Sequence, residues 1–182
     1  LVKMRLLKEA GLTVVPQSIN LSRSDFSACD IVEEIRKRVD GAGVRHEMIT
    51  VEITESIIGS DFEYMKAQIQ RFQQLGFPVW LDDFGSGYSS LNMLKEMPLD
   101  VIKMDLKFLD GGDNEERSRY ILRTLIALAQ NMNLLVVVEG VESAEQVEFL
   151  RRIGRCFVQG YYYSKPVSEE EFLAFVARYN IL

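Results

Sequence analysis

The chain contains six short apolar runs, and each of them leads to a polar residue that could take part in chemistry. Stretches with helical periodicity separate the runs, and strands that alternate with helices typically form a parallel sheet. In such sheets, ligands bind and catalysis takes place at the carboxyl ends of the strands. We therefore expect the polar strand-end residues to converge on one face. They are Asn20, Glu52, Asp82 with Asp83, Lys103 followed by Asp105, Glu139 followed by Glu142, and Gln159.

Composition limits the classes of protein to consider. The chain has 182 residues, of which 47% are hydrophobic, which is enough for one domain of ordinary size. Its net charge of −6 lacks the basic excess of a nucleic-acid-binding surface, so we expect no DNA or RNA binding. Cys29 and Cys156 match no zinc spacing, which favours reduced thiols in a cytoplasmic protein. No apolar run approaches the roughly 18 residues that span a bilayer, and membrane anchoring of a longer parent protein stays open.

Local signals also predict where several helices begin and end. Ser24 is expected to cap a helix that runs to about residue 39. A second helix is expected to begin at Ser60 or Asp61 and to end at Gly76, which suits the left-handed position after a helix. Capping boxes of Ser143 with Gln146 and of Ser168 with Glu171 predict two further helix starts.

The carboxylates at the predicted strand ends indicate a site that binds cations. Glu52, Asp82, Asp83 and Glu139 would repel one another at one edge of a sheet unless positive charge lay among them. Hard divalent cations prefer oxygen ligands, and two cations bridged by such a set suit phosphodiester hydrolysis. Any single acidic residue after a strand is more often a helix cap, so the prediction depends on all six strand ends together.

The remaining strand-end residues are compatible with the same chemistry. Asn20 and Gln159 would add neutral carbonyl oxygens, and Lys103 would neutralise a phosphate or a bound hydroxide. The single histidine, His46, precedes a strand, which favours a turn or surface position and argues against catalysis by a Ser–His or Cys–His pair.

The loop at residues 83–90 resembles two other motifs only in part. Asp83-Phe84-Gly85 matches the metal-binding tripeptide of kinases, but the other kinase motifs do not precede it. The serines and glycines that follow lack the lysine of a phosphate-binding P-loop. We interpret the loop as a glycine-rich lid, either simply mobile or ordered when metal and ligand bind.

Six segments along the chain carry a common pattern: residues 18–22 (SINLS), 51–56 (VEITES), 81–90 (LDDFGSGYSS), 101–105 (VIKMD), 138–143 (VEGVES) and 159–166 (QGYYYSKP). Together they resemble the EAL domain family of cyclic di-GMP phosphodiesterases. They run in the family's order and cover nearly the whole chain, so the resemblance implies one EAL-type domain over residues 1–182. The family fold is an α/β, TIM-like (β/α) barrel whose first strand is antiparallel to the others.

The resemblance also implies an activity and a role for each site residue. The activity is hydrolysis of cyclic di-GMP to linear pGpG with Mg²⁺ or Mn²⁺ in a two-metal site. In the catalytic group, Lys103 would contact the attacking water or a phosphate, Glu139 is the candidate base, and Glu55 would anchor the lid. The implied metal-site residues are Asn20, Glu52, Asp82, Asp83 and Asp105. The residues implied to bind the substrate are Glu142 and Gln159. The lid comprises Phe84, Gly85, Ser86, Gly87 and Tyr88.

One departure from the family pattern lies near the start of the chain. The Glu-Ala-Leu signature is absent, and Glu9-Ala10-Gly11-Leu12 is not that motif because it lies at a helix end directly before the Asn20 strand. We therefore expect the first two strands and a helix of the barrel to be missing, a unit of about 30 residues or more. Six strands cannot close an eight-stranded barrel, so edges near Asn20 and Gln159 should be exposed unless a partner or a rearranged opening covers them. Weak or no hydrolysis is expected of the chain alone.

Two functions from different classes remain open at this point. The first is the phosphodiesterase, and the second is a catalytically inactive EAL-like receptor or interaction module that binds cyclic di-GMP. A structural domain with incidental carboxylates is a third and less favoured interpretation. The resemblance further implies a homodimer and an upstream sensory or diguanylate cyclase domain in the parent protein.

Overall fold

Six strands form a single parallel sheet in which each strand pairs with the next one along the chain. The structure is a computed structural model, and it describes residues 1–9, 11, 14–85, 91–106 and 115–179. The strands are β1 Gln17–Leu21, β2 Ile49–Thr54, β3 Val79–Asp82, β4 Val101–Asp105, β5 Leu135–Glu139 and β6 Phe157–Val158. The predicted alternation of strands and helices, and the parallel sheet that it implies, are confirmed.

Helices connect the successive strands, as parallel pairing requires. Before β2 the chain also makes one turn of 3₁₀ helix at His46–Met48. The helices are α1 Val2–Glu9, α2 Arg23–Ala28, α3 Ile31–Gly41, α4 Glu55–Ser60, α5 Phe62–Gln74, α6 Leu91–Glu96, α7 Glu115–Asn131, α8 Ala144–Ile153 and α9 Glu169–Tyr179. None of the helices within these described ranges is long and apolar enough to cross a membrane.

The prediction of one continuous helix from Ser24 is wrong, because the chain forms the two helices α2 and α3 in this segment. Ser22 caps α2, and its backbone N–H and hydroxyl both donate to Asp25 Oδ2, at 2.8 and 2.6 Å. Cys29 then takes an extended conformation that ends α2. Asp30 caps α3 by accepting a hydrogen bond from the Glu33 N–H at 3.3 Å. The caps at Ser22 and Asp30 therefore divide the predicted helix into two.

The other predicted helix boundaries agree with the structure. Asp61 caps α5 by accepting from the Tyr64 N–H at 3.2 Å, and Gly76 has a left-handed φ of 88° just beyond the helix. A short helix that the sequence did not predict, α4, fills the connection between β2 and α5. Both capping boxes form, with the backbone N–H groups of Gln146 and Glu171 donating to the hydroxyls of Ser143 and Ser168.

The hydrophobic core lies between the strands and the helices that connect them. Its fully buried members come from every layer of the domain, and burial of this apolar surface is the main stabilising term of the fold. On the strands they include Val51, Ile53, Leu81, Ile102 and Val138, and on the helices Ile69, Phe72, Ile126 and Leu150.

The sheet is open at both ends of its strand order. Among the described residues, β1 pairs only with β2 and β6 pairs only with β5. Near the second edge, Leu135 and Phe157 are 55% and 62% exposed, which is unusual for apolar side chains on the strands of a barrel. The predicted incomplete, EAL-type TIM-like barrel is consistent with this open sheet of six parallel strands.

We expect Phe72→Ala to lower the free energy of unfolding by about 3–5 kcal/mol, because the substitution leaves a cavity in the core. Phe72 is fully buried and its ring packs edge-on against Phe77, with ring centroids 5.9 Å apart. Urea denaturation measures the change. The matched control is Tyr120→Ala, which truncates an aromatic side chain that is 71% exposed on α7. Equal losses in the two variants would contradict this assignment of the core.

Candidate active site

Three carboxylates from three strands surround the ammonium group of Lys103. Lys103 Nζ lies 3.0 Å from Glu52 Oε2, 3.0 Å from Asp82 Oδ1 and 2.5 Å from Glu139 Oε1. The contact with Glu52 also has the geometry of a hydrogen bond. The residues belong to β2, β3, β4 and β5, so four neighbouring strands deliver one charged group each to the same point. Asp82 and Glu139 are the last residues of their strands, whereas Glu52 and Lys103 lie two residues before the ends of β2 and β4 and do not end these strands as the sequence suggested. The predicted convergence of these four residues is present in the structure.

Burial and charge act against each other at this cluster. The side chains of Lys103 and Glu52 are only 7% and 6% exposed. Burial alone would lower the pKa of Lys103, but the hydrogen-bonding and charge interactions with the carboxylates of Glu139, Glu52 and Asp82 outweigh it and raise the pKa. Burial raises the pKa of Glu139, and neighbouring Asp82 and Glu52 add to this effect, whereas Lys103 opposes it. Lys103 is therefore held as a cation, while Glu139 binds a proton more readily than an exposed glutamate.

Strand register places two further predicted residues beside the cluster. Asn20 pairs with Glu52 across β1 and β2, and Asp105 pairs with Glu139 across β4 and β5. Asp105 is half-buried, whereas Asn20 is exposed on the edge strand. Both residues are thus adjacent to the cluster, one on each side of it.

The start of the predicted lid is attached to the site by two hydrogen bonds. Glu55, which is buried at the start of α4, accepts from the Gly85 N–H through Oε2 at 3.1 Å. The buried Phe84 donates its N–H to the backbone carbonyl of Lys103 at 3.0 Å. Exposed Asp83 has a left-handed φ of 53°, and its N–H donates to Asp82 Oδ1 at 3.0 Å. The other predicted lid residues, Ser86, Gly87 and Tyr88, lie outside the described residues.

The loops after β5 and β6 carry the remaining predicted residues, Glu142 and Gln159, and both are exposed. Backbone bonds join the two loops: Val141 N–H donates to the Gln159 carbonyl at 3.2 Å, and Tyr162 N–H donates to the Val141 carbonyl at 3.0 Å. The hydrogen bonds and ion pairs of Lys103 within the described residues involve Glu52, Asp82 and Glu139 and not the side chains of Glu142 or Gln159. The structure therefore places these residues at the rim of the site and does not bring them into the charged cluster.

Gly160 and Gly140 contribute to the site, and the sequence analysis gave neither of them a role. A Cβ atom at Gly160 would lie 2.0 Å from the Val141 carbonyl oxygen, so only glycine allows the loops to approach this closely. Gly140 has a φ of 73°, and a Cβ atom there would lie 3.2 Å from Asp105 Oδ1. The available signal was a glycine directly after each strand-end residue, which often marks a close backbone approach.

His46 lies apart from the charged cluster, at the amino end of β2. Its ring stacks on Phe77 with centroids 4.3 Å apart, while Nδ1 lies 2.5 Å from the Leu75 carbonyl and Nε2 lies 2.7 Å from Asp40 Oδ1. The predicted turn position is correct, and the ring connects the end of α3 to the loop before β3.

The donor set fits a hard divalent cation chemically, because all of its atoms are carboxylate or amide oxygens. Glu139 Oε1 is moreover a buried oxygen that accepts no well-aligned hydrogen bond, despite its short contact with Lys103 Nζ. In the arrangement seen here, however, no three acidic, histidine or cysteine side chains among the described residues converge as ligands of one metal ion. The carboxylates are grouped around the lysine ammonium instead.

Fold and site together define an α/β domain of the TIM-barrel class with an oxygen-rich, acidic site at the carboxyl ends of its strands. The chain belongs to the EAL domain family, whose sequence profile matches residues 1–166. It is 35% identical over 173 residues to the cyclic di-GMP phosphodiesterase NbdA of Pseudomonas aeruginosa. That match covers 93% of this chain but only 22% of NbdA, so the chain spans about a fifth of this relative's length.

Solved structures of related proteins have the same fold. A phosphodiesterase structure of PaMucR in complex with c-di-GMP superimposes with a TM-score of 0.85 at 30% identity, covering 93% of this chain and 69% of that one. Klebsiella pneumoniae BlrP1, in complexes with c-di-GMP and either calcium or manganese, superimposes with a TM-score of 0.79 at 26% identity. Those matches cover 90% of this chain and 42% of BlrP1.

We expect Glu55→Ala to speed amide exchange at Gly85 by about tenfold or more, because a hydrogen bond to a buried charged group contributes about 1.5–3 kcal/mol. Exchange at Phe84, whose N–H is bonded to the Lys103 carbonyl, should change less. Hydrogen exchange followed by NMR resolves the two amides. Glu55→Gln retains an acceptor oxygen and should give an intermediate rate. Equal acceleration at both amides in the alanine variant would show that Glu55 does not anchor this loop specifically.

Gly160→Ala should lower the free energy of unfolding by about 1–3 kcal/mol, the usual effect of an added methyl group in a tightly packed position. The new methyl group would collide with the Val141 backbone, so the amide signals of Val141 and Tyr162 should shift as well. Gly59→Ala is the matched control, because a Cβ atom within α4 meets no neighbour within 4 Å. A Gly160 variant as stable as the Gly59 variant would refute the requirement for glycine.

Proposed function

We propose that the protein hydrolyses one phosphodiester bond of cyclic di-GMP and releases linear pGpG, with Mg²⁺ or Mn²⁺ as the cofactor. The observation that carries this proposal is the group of Glu52, Asp82, Glu139 and Lys103, which four adjacent strands bring to one point. Phosphodiester hydrolysis needs positively charged groups beside the phosphate and a base for the attacking water. This group combines a lysine, three carboxylates and an amide-bearing neighbour, Asn20.

Relatives in the EAL domain family support both the ligand and the cofactor class. NbdA is a cyclic di-GMP phosphodiesterase, and the PaMucR and BlrP1 structures contain c-di-GMP. The BlrP1 complexes contain calcium or manganese, which supports the use of a divalent cation. The oxygen donor set fits hard divalent cations in general, and the choice of Mg²⁺ or Mn²⁺ for this protein follows the resemblance to the family.

The residues expected to hold the cations lie on adjacent strands. Glu52 and Asp82 would bind through carboxylate oxygens, and Asn20 would add its amide oxygen from the strand next to Glu52. The resemblance to the family assigns Asp83, together with Asp82, to the second cation and puts Asp105 close to the pair of cations. A divalent cation, when bound, makes a water ligand more acidic and withdraws charge from phosphoryl oxygens.

The side chains of this chain perform the remaining chemical tasks. Glu139 is the proposed general base, because burial raises its pKa and its Oε1 lies inside the charged cluster, in contact with Lys103 Nζ. Lys103 is held as a cation and is assigned to a non-bridging phosphate oxygen, where negative charge increases during attack. Glu55 would hold the first residues of the lid in place through Gly85. Glu142 and Gln159, exposed at the rim, are assigned to the substrate.

The expected effect of Glu52→Gln is a loss of pGpG formation by about 100-fold or more. Removal of residues that only support metal ligands already costs 10–100-fold in metal affinity or activity, and Glu52 is assigned as a ligand itself. The assay measures pGpG from cyclic di-GMP with Mn²⁺ or Mg²⁺, for this chain and for the full gene product. Glu47→Gln is the control, because Glu47 is exposed before β2 and pairs only with Arg45 among the ion pairs given by the structure.

The outcomes of this assay separate the two classes of function. Turnover that depends on Glu52 but not on Glu47 supports the enzyme. Cyclic di-GMP binding by the full gene product without pGpG formation would replace the enzyme with a receptor. Absence of both binding and turnover would overturn the proposal. A homodimer, an upstream signalling domain and a cytoplasmic location remain predictions.

A further inference from the structure

We propose that Lys103 is an internal competitor of the divalent cation, so that cation binding displaces its ammonium group from Glu52, Asp82 and Glu139. The proposal rests on the metal site assigned above, but it concerns cation binding and not turnover. It assigns Lys103 a role in the absence of substrate, in addition to its proposed contact with the phosphate.

The first support is the position of the ammonium group. Lys103 Nζ lies 2.5–3.0 Å from oxygens of three carboxylates, and oxygen ligands surround Ca²⁺ at about 2.3–2.6 Å. The ammonium group thus occupies a place among the oxygens similar to that of a hard cation. Within the part of the chain that the structure describes, no group of three acidic, histidine or cysteine side chains is arranged to hold a metal ion.

The second support is the balance of charge at the cluster. Three carboxylate groups surround the one ammonium group, so acidic groups outnumber the cation within the cluster. The cluster can therefore attract a divalent cation even while Lys103 is present. An ammonium group and a divalent cation repel each other strongly at such short range, particularly where burial excludes water. Both cannot remain in the same carboxylate shell.

The third support is the difference in freedom between the partners. Lysine ends in a compact ammonium group on a flexible four-carbon stem, which allows Nζ to move while the backbone of β4 stays in place. The Glu52 side chain is buried to the same degree as that of Lys103, but its stem is shorter and gives its carboxylate less reach. Displacement of Lys103 would also release its charge for a phosphate oxygen, so cation binding would prepare the site for substrate.

The test compares Mn²⁺ affinity in Lys103→Met and in the unmodified protein, measured by calorimetry without substrate. Methionine keeps much of the length of the side chain and removes its charge. We expect the variant to bind Mn²⁺ about tenfold more tightly, a change within the range that neighbours of metal ligands produce. Thermal stability without metal should fall, and Mn²⁺ should raise the melting temperature of the variant more than that of the unmodified protein.

Two control variants separate the effect of position from the effect of charge. Lys66→Met removes a lysine of α5 that pairs with Glu96 at 3.7 Å, and it should leave Mn²⁺ affinity unchanged. Lys103→Arg keeps the positive charge and should not show the tenfold gain. Equal or weaker Mn²⁺ binding by Lys103→Met would overturn the proposal. If no form of the protein bound Mn²⁺, the assigned metal site and this inference would both fail.

A second measurement serves if Lys103→Met does not fold. In the unmodified protein, the side-chain ammonium signal of Lys103 is followed by NMR during a titration with Mg²⁺, which is diamagnetic. The buried, hydrogen-bonded ammonium group should give a slowly exchanging signal that shifts or disappears as the cation binds. An unchanged signal at Mg²⁺ saturation, with saturation verified by calorimetry, would overturn the proposal independently of any variant.

Discussion

The attraction between one lysine and three carboxylates is the interaction on which the site depends. Glu52, Asp82 and Glu139 come from different strands, and without positive charge their mutual repulsion would oppose the strand ends that bring them together. Lys103 reduces this repulsion from a position on β4, between the strands that carry Asp82 and Glu139. Buried ion pairs often contribute little net stability, because removing charges from water is costly. The cluster therefore serves the proposed chemistry more than the stability of the fold.

Parallel pairing is the reason why such distant residues meet. Glu52 and Glu139 are far apart in the sequence, but each lies at or near the carboxyl end of a strand, and those ends share one edge of the sheet. That geometry made the convergence predictable from strand ends alone. It did not predict that the lysine would be the centre of the group, since the sequence analysis assigned Lys103 to a phosphate or hydroxide. The position of a flexible side chain depends on its neighbours in space, which strand periodicity does not specify.

Other differences between prediction and structure have local causes. The sequence analysis predicted one helix from a cap at Ser24 to about residue 39, but extended Cys29 divides this segment and Asp30 begins a new helix. Side-chain capping bonds satisfy backbone N–H groups at once, and this local gain exceeded the weak preference for a longer helix. Gly160 was missed for a different reason, because its requirement arises from the approach of another loop. Predictions based on sequential neighbours succeed for caps and strand ends and fail for such close contacts.

Burial divides the site into a closed centre and an open periphery. The predicted residues on the central strands are buried or half-buried, while Asn20 on β1 and Gln159 after β6 are exposed at opposite ends of the strand order. A side chain on an edge strand has a neighbouring strand on one side only, so it is less confined and more hydrated than one on a central strand. Charges are screened less where water is excluded. Electrostatic interactions are therefore strongest between the buried Glu52 and Lys103, whereas the exposed side chains of Asn20 and Gln159 have more freedom to move.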